Sequence, residues 1–172
     1  MDVNTNMKKN DNTNKKKNLN VVFVCTGNTC RSCMAEGVFR AIAEKNKSCF
    51  KAVSRGIHAF DGDPASEHSI NALKTLWNID ISNHKAKMLL NDEVYHADFI
   101  FTMTKAQREI LKAKFPEKRS NIFTLKEYVY PNINSESFML DISDPYGMPY
   151  QIYENCAREI FQCVEIVMEK MR

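Results

Sequence analysis

The feature that most constrains this chain is a wholly apolar run that leads through a glycine-containing turn into a segment with helical periodicity. The apolar run is Asn20–Val24, and Arg31–Glu44 follows it with Met34 and Val38 on one helical face. A short apolar run of this kind predicts a parallel strand that is buried on both faces. A strand, a turn and a helix in this order predict an α/β fold with its functional site at the carboxyl ends of the strands.

Strands and helices continue to alternate along the rest of the chain. We predict further strands over Phe50–Ser54, Asp98–Met103 and Asn121–Leu125. We predict helices from an Asp63 N-cap and Pro64 to about Trp77, from a Thr104 cap towards Phe115, and over Tyr150–Met171. This order predicts a three-layer α/β sandwich around a parallel sheet, in one domain over residues 20–172.

The amino-terminal segment has a different composition from the rest. Residues 1–20 contain seven Asn and five Lys but only four apolar side chains. Such a segment cannot bury enough apolar surface to offset the entropy of ordering it, so we predict a disordered Asn/Lys-rich tail over residues 1–19. The tail has no apolar h-region and is therefore not a secretory signal, which leads us to expect a cytoplasmic protein.

The distribution of charge excludes two classes of partner. The formal net charge is +3, and the five Lys and two Asp of residues 1–20 account for all of it. The folded part is therefore balanced, and it does not have the basic surface that nucleic-acid binding requires. The longest apolar runs are far shorter than the ~20 residues that span a membrane. We expect neither a nucleic-acid nor a membrane partner.

The residues capable of catalysis are concentrated in segment 24–32, which reads V-C-T-G-N-T-C-R-S. Gly27 and Asn28 are the residue types that best tolerate a positive φ, and successive amides of such a loop can form an anion cradle at a helix N-terminus. A cysteine at the base of this cradle, Cys25, would have its thiolate favoured. Arg31 can bind two phosphate oxygens at once. The combination predicts phosphoryl transfer through a phosphocysteine.

From about Val21 to its carboxyl end, the chain resembles the low-molecular-weight protein tyrosine phosphatase family. The resemblance rests on C-x5-R-S after an apolar strand, on G-N inside the loop, and on M-A-E after it. It implies a cytoplasmic phosphatase of phosphorylated proteins that needs no metal or other cofactor. It also implies a four-stranded parallel sheet in the order 2-1-3-4, with the phosphate-binding loop after strand 1.

The resemblance also assigns roles to individual residues. Cys25 is the expected nucleophile, Arg31 binds phosphate, and Asp144, in the D-P-Y-G sequence, is the expected general acid and later general base. Ser32 would hold the thiolate and Asn28 would lock the loop. The expected phosphate-binding and substrate-binding residues are Thr26, Gly27, Asn28, Thr29, Cys30, Ser32 and Tyr146, the last as a wall of the pocket. His84 matches a supporting position and stays outside the predicted catalytic set.

Thr29 bears on the choice of substrate. Tyrosine-specific members of the family usually have Ile at this position, whereas a smaller branch with Thr acts on phosphoarginine. That branch also resembles this chain over residues 123–129, which read F-T-L-K-E-Y-V. A hydroxyl near the reacting phosphorus suits a polar guanidinium, whereas Ile suits a phenyl ring. The resemblance therefore favours a protein arginine phosphatase, with a tyrosine phosphatase as the alternative.

The cysteines allow other interpretations. Cys25, Cys30 and Cys33 have the spacing of plant-type iron–sulfur ligands, although Arg31 stands between two of them. An arsenate reductase would share the loop but needs two further cysteines in mid-chain, where this chain has none. Cys30 is the expected resolving thiol if Cys25 is oxidised. Cys33 stands where the family usually has Pro, and whether it shares this redox role stays open.

Overall fold

The computed structural model describes residues 18–132, 134 and 138–172. Within these residues the strands are β1 (Asn20–Cys25), β2 (Lys51–Gly56), β3 (Phe99–Thr102) and β4 (Ile122–Thr124). The α-helices are α1 (Arg31–Lys45), α2 (Glu67–Trp77), α3 (Asn91–His96), α4 (Lys105–Lys114), α5 (Leu125–Val129) and α6 (Tyr150–Met171). Two short 3₁₀ helices lie at Pro116–Asn121 and Phe138–Leu140.

The four strands form one parallel sheet in the order β2-β1-β3-β4, which confirms the expected topology. β1 is central, so it pairs with β2 on one side and with β3 on the other. Residues 21–25 of β1 are all buried, as the continuous apolar run predicts for a strand covered on both faces. The register places Cys25, the last residue of β1, beside Gly56 at the end of β2.

Helices cover both faces of the sheet and form the predicted three layers. On one face, Phe23 packs against Phe39 of α1 and Phe101 of β3 with ring centroids 5.7 Å apart, and α2, α5 and α6 complete this core. On the other face, Val22 and Val24 pack with residues of α3 and α4. The alternation of side chains along β1 divides it between the two cores.

The start of α2 differs from the prediction. The helix begins at Glu67, and its N-cap is Ser66, whose side chain accepts a hydrogen bond from the Ser69 N–H, rather than Asp63. Asp63 and Pro64 instead pair with residues 85–86, because the Asp63 carbonyl accepts the Ala86 N–H at 2.8 Å. A tertiary contact has therefore overridden a local capping signal. β2 also runs two residues beyond its predicted end, and the short helices α3 and α5 were not predicted.

The predicted tail lies largely outside the described residues, which begin at Asn18. Leu19 is buried, and its carbonyl accepts the Lys51 N–H at 2.8 Å, so the folded part begins no later than this residue. In the part of the chain that the structure describes, no helix is long and apolar enough to cross a membrane.

Candidate active site

Cys25 lies at the carboxyl end of β1, where the phosphate loop (residues 25–31) begins. Its side chain is buried, and its Sγ is 3.0 Å from the Ser32 hydroxyl and 3.2 Å from the Asn28 N–H. Both neighbours can donate a hydrogen bond to this sulfur. The loop therefore fixes the position of the Cys25 sulfur and directs two donors at it.

Asn28 holds the phosphate loop in shape. Its φ is +59°, and its side chain is fully buried. The Lys87 N–H donates to Asn28 Oδ1 at 2.9 Å, which fixes the orientation of the amide. Asn28 Nδ2 then donates to both Ser32 Oγ and Ser54 Oγ, each at 2.9 Å. Because Ser32 Oγ already accepts this hydrogen, the hydroxyl is free to donate its own hydrogen to Cys25.

Three residues outside the loop complete this network. The Ser54 hydroxyl donates to Glu36 Oε2 at 2.7 Å, and His84 Nε2 lies 2.7 Å from the Asn28 carbonyl oxygen. The sequence alone gave no role to Ser54 or Lys87, because they lie on separate segments that only the fold brings together. Glu36 was noted only as the last residue of the M-A-E motif, without a role.

Arg31 is the first residue of α1, and it is 3% exposed. Its Nη1 donates to the Ile142 carbonyl at 3.0 Å, and its Nη2 donates to Asp144 Oδ2 at 2.5 Å. Its Nε is buried and has no hydrogen-bond partner among the described residues. A buried donor without an acceptor is costly, so the guanidinium retains the capacity to bind an anion.

Asp144 lies on the acid loop (residues 141–147), and the fold brings it to Arg31 from 113 residues away. Its carboxylate is about half exposed and also accepts the Tyr146 N–H at 3.2 Å, an Asx-type turn. Upstream, the Ile142 N–H donates to the Met103 carbonyl at 2.8 Å. The Tyr146 side chain is 75% exposed, which makes its ring available to a bound substrate.

The remaining predicted loop residues have different environments. Thr26 is exposed and accepts a hydrogen bond from Gln107 Nε2 at 3.1 Å, a contact that the sequence did not suggest. Thr29 is half-buried, and its Oγ1 lies 3.7 Å from the Cys30 sulfur. Gly27 does not have a positive φ, so the left-handed conformation in the loop belongs to Asn28 alone.

Gly56 is a residue that sequence reasoning missed. A Cβ built on it would lie 2.6 Å from the Thr26 carbonyl oxygen and 2.7 Å from the Ala59 Cβ. The turn after β2 crosses the phosphate loop at this point, and the His58 N–H donates to the Thr26 carbonyl at 2.9 Å. A residue without a side chain is therefore required for this close approach.

Cys33, Cys156 and Cys163 are buried and are held as neutral thiols. Burial is the main cause that raises the pKa of Cys33 well above its usual value, and its Sγ donates to the Cys30 carbonyl at 3.0 Å. Burial also raises the pKa of Cys156 to about 12 and that of Cys163 to about 11. Both lie in the core that α6 forms with the sheet. Among the described residues, no group of three or more His, Cys, Asp or Glu is arranged to hold a metal ion.

Comparison with known proteins identifies the family. The model described as "Low molecular weight phosphotyrosine protein phosphatase" matches residues 20–172. A protein-arginine-phosphatase of Bacillus subtilis is 32% identical over 155 residues, which are 90% of this chain and 97% of that protein. A low molecular weight protein tyrosine phosphatase from T. tengcongensis is 39% identical, with a TM-score of 0.81 over 88% of this chain and 99% of that one.

A third relative bears on the chemistry. A solved YwlE arginine phosphatase, in which a serine replaces the active-site cysteine and is phosphorylated, is 31% identical to this chain. Its TM-score is 0.81 over 89% of this chain and 95% of that one. The family match covers nearly all of the described residues, including the phosphate loop and the acid loop. This chain therefore belongs to the low molecular weight phosphotyrosine protein phosphatase family and is a cysteine-based phosphoprotein phosphatase.

Proposed function

We propose that this protein removes phosphate from phosphoarginine residues of proteins, with Cys25 as nucleophile, Arg31 as phosphate-binding residue and Asp144 as general acid. The Cys25 thiolate attacks phosphorus and forms a phosphocysteine, while the P–N bond to the guanidinium breaks. Asp144 gives its proton to the departing nitrogen. Water then attacks the phosphocysteine as Asp144 takes up a proton, and inorganic phosphate and the Cys25 thiolate are released.

The contacts of the site support each of these roles. The Asn28 N–H and the Ser32 hydroxyl stabilise the sulfur before attack, since both lie within 3.2 Å of it. The buried Arg31 has an unpaired Nε for a phosphate oxygen, and its Nη2 holds Asp144 beside the same anion. Arg31 thus places the proton donor next to the group that it must protonate. The phosphorylated serine of the YwlE arginine phosphatase agrees with a covalent intermediate at this position.

The observation that carries the choice of phosphoarginine is the environment of Thr29. Its hydroxyl has one hydrogen-bond partner among the described residues, the Cys30 sulfur at 3.7 Å, and a hydroxyl oxygen can accept two hydrogen bonds. The Thr29 hydroxyl therefore retains the capacity to accept a hydrogen bond from a guanidinium N–H. The naming of a Bacillus subtilis relative as a protein-arginine-phosphatase agrees with this assignment.

Phosphotyrosine hydrolysis is the second candidate function. The exposed Tyr146 ring beside Asp144 can stack on a phenyl group, and the T. tengcongensis relative is named a tyrosine phosphatase.

The test compares kcat/KM of the native protein and of two Thr29 variants on matched phosphoarginine and phosphotyrosine peptides. Thr29→Val removes the hydroxyl at nearly constant shape, and Thr29→Ile adds apolar length. We expect both to lower the arginine-to-tyrosine ratio by roughly 10-fold to 200-fold, the range of one such contact. Only Thr29→Ile should gain efficiency on phosphotyrosine. A native protein that prefers phosphotyrosine would overturn the arginine assignment and leave the tyrosine phosphatase.

A further inference from the structure

The first turns of α6 connect the phosphate loop to the acid loop. Tyr153, in the first turn of α6, is buried, and its hydroxyl oxygen lies 3.7 Å from the Cys30 sulfur. One turn later, Cys156 Sγ lies 3.7 Å from the Ser143 carbonyl, directly before Asp144. α6 therefore contacts one loop through Tyr153 and the other through Cys156.

In the hydrogen bond between Cys30 and Tyr153, the tyrosine hydroxyl is the donor. The thiol donates to Ser66 Oγ at 3.6 Å, so the hydrogen between Cys30 and Tyr153 comes from the tyrosine hydroxyl. Ser66 is bound to the loop a second time, because its N–H donates to the Thr29 carbonyl at 2.8 Å. The Tyr153 hydroxyl thus ends a chain of polar contacts that holds the later half of the phosphate loop.

Tyr153 keeps its proton at working pH. Burial, followed by the contact with Cys30, raises the pKa of this phenol to about 12. Hydrogen bonds with the Ser66 hydroxyl and the Gly147 N–H lower the same pKa by a smaller amount. The hydroxyl therefore stays neutral and can donate its hydrogen to the Cys30 sulfur.

We propose that Tyr153 is a positioning residue that sets the spacing between the phosphate loop and Asp144. It acts through Cys30 on one side and through the start of α6, which continues directly from the acid loop, on the other. The inference rests on the proposed role of Asp144 as general acid. Among the described residues, the Tyr153 hydroxyl contacts the Cys30 sulfur rather than the Cys25 sulfur. Its effect should therefore appear in how well Asp144 reaches the leaving group.

The substitution that isolates this role is Tyr153→Phe. The ring contact with His68, at 5.2 Å between centroids, is retained in Phe, and only the hydroxyl is lost. The matched control is Tyr150→Phe, because Tyr150 lies on the same helix and packs on the same His68 at 5.8 Å. In the part of the chain that the structure describes, the Tyr150 hydroxyl makes no hydrogen bond with either loop.

The measurement is kcat/KM over a series of aryl phosphates whose leaving groups range from activated to poor, together with inhibition by inorganic phosphate. This ratio reports the steps up to departure of the leaving group. In Tyr153→Phe we expect a loss of roughly 10-fold to 100-fold on the poorest leaving groups, because small displacements of a catalytic group are costly. We expect little loss on the most activated ones, less than about 2-fold change in phosphate inhibition, and native behaviour in Tyr150→Phe.

A double-mutant cycle separates this inference from the function on which it rests. Asp144→Asn should lose rate mainly on poor leaving groups, and adding Tyr153→Phe should then cause little further loss on them. Equal losses on all leaving groups in Asp144→Asn would refute the acid assignment. A different pair of results would refute the positioning role alone: Asp144→Asn loses kcat/KM mainly on poor leaving groups, whereas Tyr153→Phe loses it equally on all leaving groups or not at all.

Discussion

The shape of the phosphate loop depends most on Asn28. Its backbone adopts φ +59°, which costs most residues roughly 1–2 kcal/mol and costs Asn and Gly less. Its side chain makes three hydrogen bonds, to Ser32, Ser54 and the Lys87 N–H. Backbone tolerance and polar side-chain contacts are thus combined in one residue, and two substitutions can separate them.

We expect Asn28→Gly and Asn28→Ala to lower kcat/KM similarly, by roughly 10-fold to 1,000-fold, because both remove the hydrogen bonds that orient Ser32 towards Cys25. Asn28→Ala should also lose about 1 kcal/mol more free energy of unfolding than Asn28→Gly, since alanine resists a positive φ. Denaturant titration and steady-state kinetics measure the two effects. Equal stability of the two variants would contradict the backbone part of the argument.

Among the elements, the turn after β2 restricts the backbone conformation of the loop after β1. Gly56 ends β2 beside Cys25, and its lack of a side chain lets residues 57–59 cross the Thr26 carbonyl. The start of α2 is likewise set by this region, because Asp63 pairs with Ala86 and leaves Ser66 to cap the helix beside Thr29. The edge of the site is thus built by elements other than the strand and loop that contain Cys25.

Gly56→Ala should lower the free energy of unfolding by about 1–3 kcal/mol, because the new methyl group would meet the Thr26 carbonyl at 2.6 Å. The matched control is Gly27→Ala, where the nearest atom to the new Cβ is 3.8 Å away and φ is not positive. Thermal and chemical denaturation of both variants test this. A loss in Gly27→Ala as large as that in Gly56→Ala would show that the close approach is not the cause.

At the scale of the whole molecule, buried thiols make the stability depend on alkaline pH. The ordinary thiol pKa is 9.0, whereas burial raises the pKa of Cys163 to about 11 and that of Cys156 to about 12. Above pH ~9 the unfolded chain releases these protons while the folded chain retains them. The stabilisation from the raised pKa values is therefore complete below about pH 9 and is lost as the pH rises towards 11 to 12.

We expect the free energy of unfolding to fall by up to ~1.4 kcal/mol per pH unit for each such thiol between pH 9 and 11. Cys163→Ala should make this slope shallower, whatever its effect on absolute stability. Cys49→Ala is the matched control, because Cys49 is exposed in the folded protein. Urea titrations under reducing conditions at several pH values give the slopes. An unchanged slope in Cys163→Ala would refute the assignment.

Local sequence was sufficient for the half of the site around Cys25. Cys25 and Ser32 are seven residues apart, and a strand, a turn and a helix are enough to bring them together. The apolar run of β1 likewise predicted the burial of that strand. These features depend on periodicity or on neighbours along the chain, so the sequence by itself determined them. Asp144 and the sheet order were expected only from the resemblance of the chain to a known family, because no local pattern specifies either.

The support of the site was decided by the tertiary structure. Ser54 and Lys87 meet Asn28 across 26 and 59 residues, and Tyr153 meets Cys30 across 123. The need for glycine at position 56 and the start of α2 at Glu67 likewise depend on which segments cross. Such contacts leave no local pattern, because the secondary-structure propensity of a serine or a tyrosine does not depend on whether the fold supplies a hydrogen-bond partner. Only the packing of helices on the sheet determines which polar groups are buried together and must satisfy one another.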